Sequence, residues 1–339
     1  MAKSSERYFL GGLLNDIDKD INPDKLDKNI SNDETTYKTL PEQPFSSVSS
    51  NFSQSFPMIK FSPSNNNIPN NKNSMNIGKT NNINNFLIIF KNQKLTKEYQ
   101  KKLETASMDT IENVVNELSG KYRLAIKNKN GNYFCSGLIQ KCDKEQRLKI
   151  LKELSNTISQ DSIDEFGSHV IQKLIEFASG EEEYNLLLFS FNDSNSILKT
   201  SMNPNGTYII QKLIVHIPEK FRMKFNLIFV NFVLTLSKDA YGVFTVKKFI
   251  GYTQNELIRK QLLSSIYNNI LYISTNEYGN YLVQYLLEKW WKSQEGVYLK
   301  KIIFSKFLIL ASNYYSSFIC DLFYKLCNDD EKKNFNNIY

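Results

Sequence analysis

Residues 276–288 hold three side chains whose types and spacing suit contact with a planar ring. Asn280, Tyr281 and Gln284 follow a Tyr-Gly break and fall on one face of the first turn and a half of a helix. An amide offers a donor and an acceptor to the edge of a ring, and tyrosine offers a flat face for stacking. We therefore expect these three side chains to form an exposed ring-binding face.

The same break recurs along the chain at a nearly constant interval. Five glycines mark it at separations of 36, 39, 36 and 37 residues, namely Gly131, Gly167, Gly206, Gly242 and Gly279. Extension by 36 residues in each direction reaches Leu95 and Tyr315, so the spacing predicts seven repeats. A second apolar helix fits between consecutive markers, and such a helical hairpin buries its apolar side only by stacking on its neighbours. The sequence therefore predicts an all-α fold, an α-solenoid.

Composition divides the chain into an arm and a folded part. Residues 1–85 hold six of the eight prolines together with serine and asparagine clusters, which predicts a disordered arm. Helical periodicity extends over 86–330, the predicted folded domain, and 331–339 read as a polar tail. The net charge of +7 resides in 86–339, which contain 33 basic and 26 acidic residues. A positive folded part favours a polyanionic partner.

Several classes of protein are disfavoured. No apolar run reaches the roughly 18 residues of a membrane helix, and the first residues lack the pattern of a secretory signal, so a cytosolic or nuclear, non-membrane protein is expected. The cysteines form two pairs seven residues apart, Cys135 with Cys142 and Cys320 with Cys327, which predicts buried reduced thiols rather than zinc ligands. No catalytic motif is present, so we expect no enzyme, no cofactor and no metal.

Three other features are interpreted without a functional role. The longest marker interval contains residues 181–183, which are acidic, and residues 192–196, which are polar, and both are predicted to be solvated loops at one edge. Trp290 and Trp291 are predicted to pack in the core or between repeats. The lysine pair Lys247 and Lys248 is interpreted as ordinary solvated charge, with contact to phosphate as a second possibility.

Residues 165–176 read Glu-Phe-Gly-Ser-His-Val-Ile-Gln-Lys-Leu-Ile-Glu, and residues 276–288 share this pattern. Both stretches resemble repeats of the Pumilio (PUF) family of RNA-binding proteins, and the resemblance extends over 86–330. It implies a right-handed, curved solenoid of Pumilio repeats in which each repeat reads one base of single-stranded RNA through two or three side chains. In that family, two residues of the second helix contact a base edge, namely the first and the fifth after the marker. The second residue after the marker stacks between bases.

The resemblance assigns two sets of residues by position. The implied base-edge residues are Thr96 and Gln100, Asn132 and Ser136, Ser168 and Gln172, Thr207 and Gln211, Val243 and Lys247, Asn280 and Gln284, and Ser316 and Cys320. The implied stacking residues are Lys97, Tyr133, His169, Tyr208, Phe244, Tyr281 and Ser317.

The resemblance also implies a target. Protein and RNA run antiparallel in this family, so repeat six is expected to take a uridine near the 5′ end. Repeat three is expected to take an adenine nearer the 3′ end, and repeat two another uridine. The implied element is UGUA-like with an AU-rich tail.

Repeats five and seven depart from the family pattern. Val243 and Lys247 lack the paired donor and acceptor of an amide, and Ser316 with Cys320 stand where the family often has Ser and Glu for guanine. Both repeats are predicted to be unselective. Residues 328–339 are too short and polar for an eighth helical pair, so either the array is short or its C-terminus is incomplete.

The resemblance implies a cytoplasmic, monomeric regulator that binds messenger RNA 3′ untranslated regions and recruits repression or deadenylation factors. Two alternatives stay open, a nucleolar PUF-like protein of relaxed specificity in ribosomal RNA processing and a helical-repeat scaffold for proteins. Apolar core positions suit either class. The recurrence of glutamine at the same position in repeats one, three, four and six favours RNA.

Overall fold

The computed structural model describes residues 85–336, and all regular structure within that range is helical. A single turn of 3₁₀ helix, Val230–Phe232, joins two of the helices. In chain order the α-helices are α1 (Asn85–Ile89), α2 (Gln93–Glu104), α3 (Met108–Leu118), α4 (Tyr122–Ile126), α5 (Gly131–Lys141), α6 (Lys144–Leu154), α7 (Ile158–Asp161), α8 (Gly167–Phe177), α9 (Glu181–Phe189), α10 (Ser194–Ser201), α11 (Gly206–His216), α12 (Met223–Phe229), α13 (Val233–Ser237), α14 (Gly242–Tyr252), α15 (Glu256–Asn268), α16 (Ile270–Ser274), α17 (Gly279–Trp290), α18 (Gln294–Ser305), α19 (Phe307–Ala311), α20 (Tyr314–Leu326) and α21 (Asp329–Asn336).

The predicted α-solenoid is confirmed, with three helices in each of its seven repeats. A short first helix of four to eight residues precedes a middle helix and a third helix, as α4 precedes α5 and α6. The predicted helical hairpin lacks this first helix because most first helices have four or five residues, too few to show helical periodicity. Helix α21 is the third helix of repeat seven. The predicted disordered arm lies outside the described residues except for Asn85, which begins α1.

The middle helices begin where the sequence predicts, because each of the five marker glycines is the first residue of one. An asparagine or aspartate three residues earlier accepts hydrogen bonds from the marker N–H and from the N–H before it. Asn276, for example, accepts from Tyr278 and Gly279 at 2.9 Å. These bonds satisfy N–H groups that a helix leaves without an internal partner. The capping residues are Asn92, Asn128, Asp164, Asn203, Asp239, Asn276 and Asn313.

The middle helices of successive repeats contact one another in an unbroken row from α2 to α20. The eighth and ninth residues of these helices, counted with the marker glycine as the first, supply fully buried apolar side chains. These side chains occupy equivalent positions and stack from repeat to repeat. In repeats two to six these are Leu138 and Ile139, Leu174 and Ile175, Leu213 and Ile214, Phe249 and Ile250, and Leu286 and Leu287. Each such burial stabilises the fold by about 1.5–3 kcal/mol. Packing between repeats therefore fixes the spacing of the row.

The marker glycines are required because each helix begins close to the preceding short helix. A Cβ added to Gly206 would overlap the carbonyl oxygen of Thr200 and lie 2.8 Å from its Cγ2. We expect Gly206→Ala to destabilise the fold by about 1–3 kcal/mol, because the backbone must shift to admit the methyl group. The midpoint of urea unfolding, followed by circular dichroism, measures the loss.

Gly137 is the matched control for this substitution. It lies within α5, and a Cβ added there would meet nothing within 4 Å. Gly137→Ala is expected to leave the midpoint unchanged or to stabilise the chain by up to about 1 kcal/mol, since alanine favours helix. An equal loss in both variants would contradict the role assigned to the close approach.

The acidic residues 181–183 do not form the predicted solvated loop. They begin α9, and Glu183 is fully buried against Arg147 of the preceding repeat, with Oε1 2.9 Å from the arginine Nε. The second carboxylate oxygen accepts from the Ser179 N–H at 2.8 Å. The extra length before Gly206 lies partly in α10, which has eight residues. The acidic run therefore contributes a buried ion pair that joins two repeats.

The packing predictions for sulfur and tryptophan are confirmed. All four cysteines are free and buried. Trp290 is buried, and the Trp291 ring packs edge-on against Phe323 of repeat seven at 5.5 Å between centroids. Among the helices described, none has the length and apolar character needed to cross a membrane.

Candidate nucleic-acid interface

The second residue after each marker forms a row of projecting side chains, which we call the stacking row. Four of its aromatic members are between 37% and 62% exposed, namely Tyr133, Tyr208, Phe244 and Tyr281. His169 is half-buried, and Lys97 of repeat one is exposed. Because the helices that carry them are neighbours, these rings occur at successive steps along one surface. The predicted stacking residues of repeats one to six therefore share one accessible row.

The first residue after each marker is buried, in contrast to the exposed face expected for Asn280. The Asn280 side chain is 1% exposed, and its amide nitrogen donates to the carbonyls of Asn276 and Glu277 at 3.1 and 2.8 Å. Asn132 donates in the same way to Asn128 and Lys129. Thr96, Ser168, Thr207 and Val243 are also buried. The Asn132 and Asn280 side chains turn back towards the cap of their own helix, which periodicity alone does not reveal. The Thr207 hydroxyl instead donates to the carbonyl of Tyr241 in the next repeat at 3.1 Å.

The fifth residue after the marker is the second member of each predicted base-edge pair. In repeats one to six it is polar and half-buried, whereas the first member is buried. In repeat six, Gln284 Nε2 donates to Asn280 Oδ1 at 2.8 Å, and in repeat four, Gln211 Nε2 donates to Thr207 Oγ1 at 3.2 Å. The first residue thus orients the amide of the fifth. The oriented glutamine retains an acceptor oxygen and a second N–H for a ligand.

The predicted alignment of repeat seven is wrong by one residue. In every repeat, the N–H of the first residue donates to the carbonyl of the capping residue, as Asn280 does to Asn276, and in repeat seven the donor to Asn313 is Ser317 at 2.9 Å. Ser316 instead lies at the marker position, where its Oγ donates to the carbonyl of Leu310, six residues earlier. A Cβ on any of the five marker glycines would likewise meet the carbonyl six residues earlier.

The corrected alignment replaces all three predicted contacts of repeat seven. Ser317 becomes the first residue, Phe318 the stacking residue and Asp321 the fifth residue. Phe318 is 46% exposed and Asp321 is exposed, as expected for a surface row, whereas Ser316 and Cys320 are buried.

A signal for this alignment was present in the sequence. Asn313 matches the other capping residues only if Ser316 is the marker. Cys320 and Cys327 then match Cys135 and Cys142 of repeat two. Extension by a fixed interval missed both because repeat seven has serine in place of the marker glycine.

Repeat five presents a cation where four other repeats present glutamine. Lys247 is half-buried rather than fully solvated, and its Nζ lies 5.9 Å from the ring centroid of Phe244 and 5.5 Å from that of Tyr285. Burial lowers the pKa of Lys247 to about 8, although Glu288 opposes the shift. The ammonium group is therefore still mostly charged at pH 7.

The stacking position of repeat three carries an imidazole. Burial lowers the pKa of His169 from its ordinary value, whereas the charge of Glu165 opposes this effect. A lowered pKa leaves the ring neutral at pH 7, because the ordinary value is already near 6.5. The repeat therefore offers a flat, uncharged face for stacking.

A family model described as "Pumilio-family RNA binding repeat" matches residues 99–119, 126–155, 162–187, 196–224 and 269–290. The matched segments omit the middle helices of repeats five and seven, the two that depart from the pattern.

Curated relatives match the same region at low identity. Pumilio homolog 12 of Arabidopsis thaliana is 25% identical over 182 residues, which are 52% of this chain and 30% of that protein. Suppressor protein MPT5 of Saccharomyces cerevisiae is 26% identical over 197 residues, or 56% of this chain and 23% of that protein. The chain thus spans less than a third of the length of these relatives.

Solved structures share the fold. The Puf4 RNA binding domain, bound to the HO endonuclease RNA 3′ UTR recognition sequence, superposes with a TM-score of 0.67 at 18% identity, over 73% of this chain and 76% of that one. The RNA-binding domain of yeast Puf5p bound to SMX2 RNA gives 0.65 at 20% identity, over 78% and 77%. With the repeat geometry and the matched repeats, the fold leads to one assignment: the chain belongs to the Pumilio (PUF) family.

Proposed function

We propose that this protein binds single-stranded RNA sequence-specifically, at UGUA-like elements in messenger RNA 3′ untranslated regions, and regulates those messages after transcription. The observation that carries the proposal is the accessible stacking row beside polar fifth residues, repeated at each step of the array. Stacking on each base contributes about 1–3 kcal/mol whatever the base, so a row of rings provides affinity. The polar groups beside it provide selectivity. A scaffold for proteins has no need of stacking rings placed beside polar fifth residues.

The order of the fifth residues supports a particular target. With RNA antiparallel to the protein, repeats seven and six face the second and third nucleotides of UGUAAAUA. Asp321 offers a carboxylate, which accepts from the two adjacent N–H groups of guanine, and Gln284 offers the mixed edge that uracil requires. Repeats seven and six therefore fit guanine followed by uridine. Repeats three and two follow as adenine and uridine, through Ser168 with Gln172 and Asn132 with Ser136.

Guanine selectivity at repeat seven provides the first test. The full chain is expected to bind UGUAAAUA about tenfold more tightly than UAUAAAUA, since one mismatch in nucleic-acid recognition costs about 1–3 kcal/mol. Asp321→Asn is expected to abolish that difference, because the amide places an N–H group opposite those of guanine. Fluorescence anisotropy at fixed salt measures both affinities.

Cys320→Ala is the matched control, because the fixed-interval alignment places Cys320 at this position. It removes a buried thiol and is expected to leave the ratio between the two RNAs unchanged. If Cys320→Ala abolished the preference for guanine and Asp321→Asn preserved it, the corrected alignment of repeat seven would be wrong. If the unaltered chain bound both RNAs equally, guanine recognition by this repeat would be refuted.

A further inference from the structure

Repeat five differs from its neighbours in the chemistry of both edge positions. Of the seven fifth residues in the described array, Lys247 is the positively charged one. The first residue, Val243, is buried and apolar, so it offers no oxygen to orient its partner. In repeats four and six, by contrast, Thr207 and Asn280 accept a hydrogen bond from the glutamine.

Two aromatic rings take over the orienting role. The Lys247 ammonium lies within 6 Å of the centroids of Phe244, in its own repeat, and Tyr285, in the next repeat. The negative faces of aromatic rings attract a cation at this range. Because Phe244 is the stacking residue, a base stacked on it would have its edge near this ammonium. Lys247 therefore occupies the reading position, held by packing between two repeats.

An ammonium group has three donors and no acceptor. It fits best a base whose edge places two acceptors side by side, because both can then accept from the same ammonium group. On their pairing edges, adenine and guanine each combine one acceptor with N–H donors, and uracil places an N–H between two oxygens. Cytosine has adjacent acceptors at N3 and O2, and its amino group lies at the end of the edge away from O2.

We propose that repeat five selects cytosine and that Lys247 determines this selectivity. The inference rests on the proposed function and refines it, because repeat five faces the fourth nucleotide, the adenine of the UGUA-like element. The preferred sequence is then UGUC followed by the AU-rich tail.

Four RNAs of the form UGUNAAUA, differing only at the fourth nucleotide, test the proposal by fluorescence anisotropy with the full chain at pH 7 and fixed salt. UGUCAAUA is expected to bind about tenfold more tightly than UGUAAAUA, the usual cost of one mismatched base. Lys247→Met keeps the side-chain length and the apolar contact with both rings, and is expected to remove the preference for cytosine. Lys247→Gln is expected to remove it as well, because it restores a mixed donor and acceptor. Lys248→Met, the neighbouring exposed lysine, is the control and is expected to leave the preference unchanged.

Three results would overturn the inference: equal affinity of the unaltered chain for all four RNAs, a cytosine preference that survives in Lys247→Met, or an equal loss for all four RNAs in that variant. The last would identify Lys247 as a phosphate contact. An ACA substitution of the UGU separates this failure from failure of the proposed function. If the chain still distinguishes UGU from ACA, RNA reading stands and only the assignment of repeat five falls. If it does not, both fall.

Discussion

Gln284→Ala is expected to weaken binding of UGUAAAUA by about 1–3 kcal/mol, the range of a lost bidentate contact to a base. Gln284 lies half-buried beside the stacking ring of Tyr281, with its amide oriented by the 2.8 Å bond to Asn280. Alanine removes both the donor and the acceptor offered to the uridine. The loss is measured by anisotropy, against an RNA in which that uridine is replaced by cytosine. The variant is expected to bind the two RNAs nearly equally.

Gln140→Ala is the matched control, since Gln140 is an exposed glutamine on a middle helix but lies outside the three reading positions. It is expected to leave both affinities unchanged. Asn280→Ala is a poorer test, because the Asn280 side chain also bonds two carbonyls at the cap of α17. It is expected to lower the stability of the fold as well as the affinity. Unchanged uridine selectivity in Gln284→Ala would contradict the assignment of repeat six.

Glu183→Gln is expected to destabilise the fold by about 3–5 kcal/mol, the usual consequence of removing one partner from a buried ion pair. The Glu183 carboxylate accepts from Arg147 and from the N–H and hydroxyl of Ser179. Glutamine keeps the shape but leaves a buried guanidinium without its counter-charge. The midpoint of chemical unfolding measures the loss. Because the ion pair joins repeats two and three, both repeats are expected to lose stability.

Glu182→Gln is the control at the adjacent position. Glu182 pairs with Lys152 at 3.1 Å, but both side chains are more than half exposed. An exposed pair contributes less than about 1 kcal/mol, because water and salt screen it. Similar losses of stability in the two variants would show that burial does not determine how much Glu183 contributes to the stability of the fold.

The repeat and its starting points could be predicted because they depend on local chemistry. Each marker glycine is required by a close approach within its own repeat, so its spacing is visible in the sequence. The alignment of repeat seven is ambiguous in the sequence because Ser316 replaces that glycine within Tyr-Tyr-Ser-Ser, where two alignments are possible. The capping residue Asn313 decides between them, and an Asn or Asp three residues before the marker recurs in all seven repeats.

The environments of individual side chains could not be predicted. The burial of Glu183 requires Arg147, 36 residues earlier in the chain, and its acidic neighbours suggested a solvated loop. The burial of Asn280 follows from hydrogen bonds to the preceding turn, which helical periodicity does not encode. The position of Lys247 depends on Tyr285 of the next repeat. In each case the side-chain type is evident from the sequence, but the contacts that surround the side chain are not.

The row of seven middle helices is proposed to read single-stranded RNA by sequence. Titration of the full chain with UGUAAAUA, with a variant in which ACA replaces UGU, and with the matching single-stranded DNA tests it most directly, at one fixed salt concentration. We expect the UGU-containing RNA to bind at least about tenfold more tightly than the ACA variant, since repeats seven and six face two of the three changed bases. Equal affinity for all three nucleic acids, or no binding to any, would contradict it.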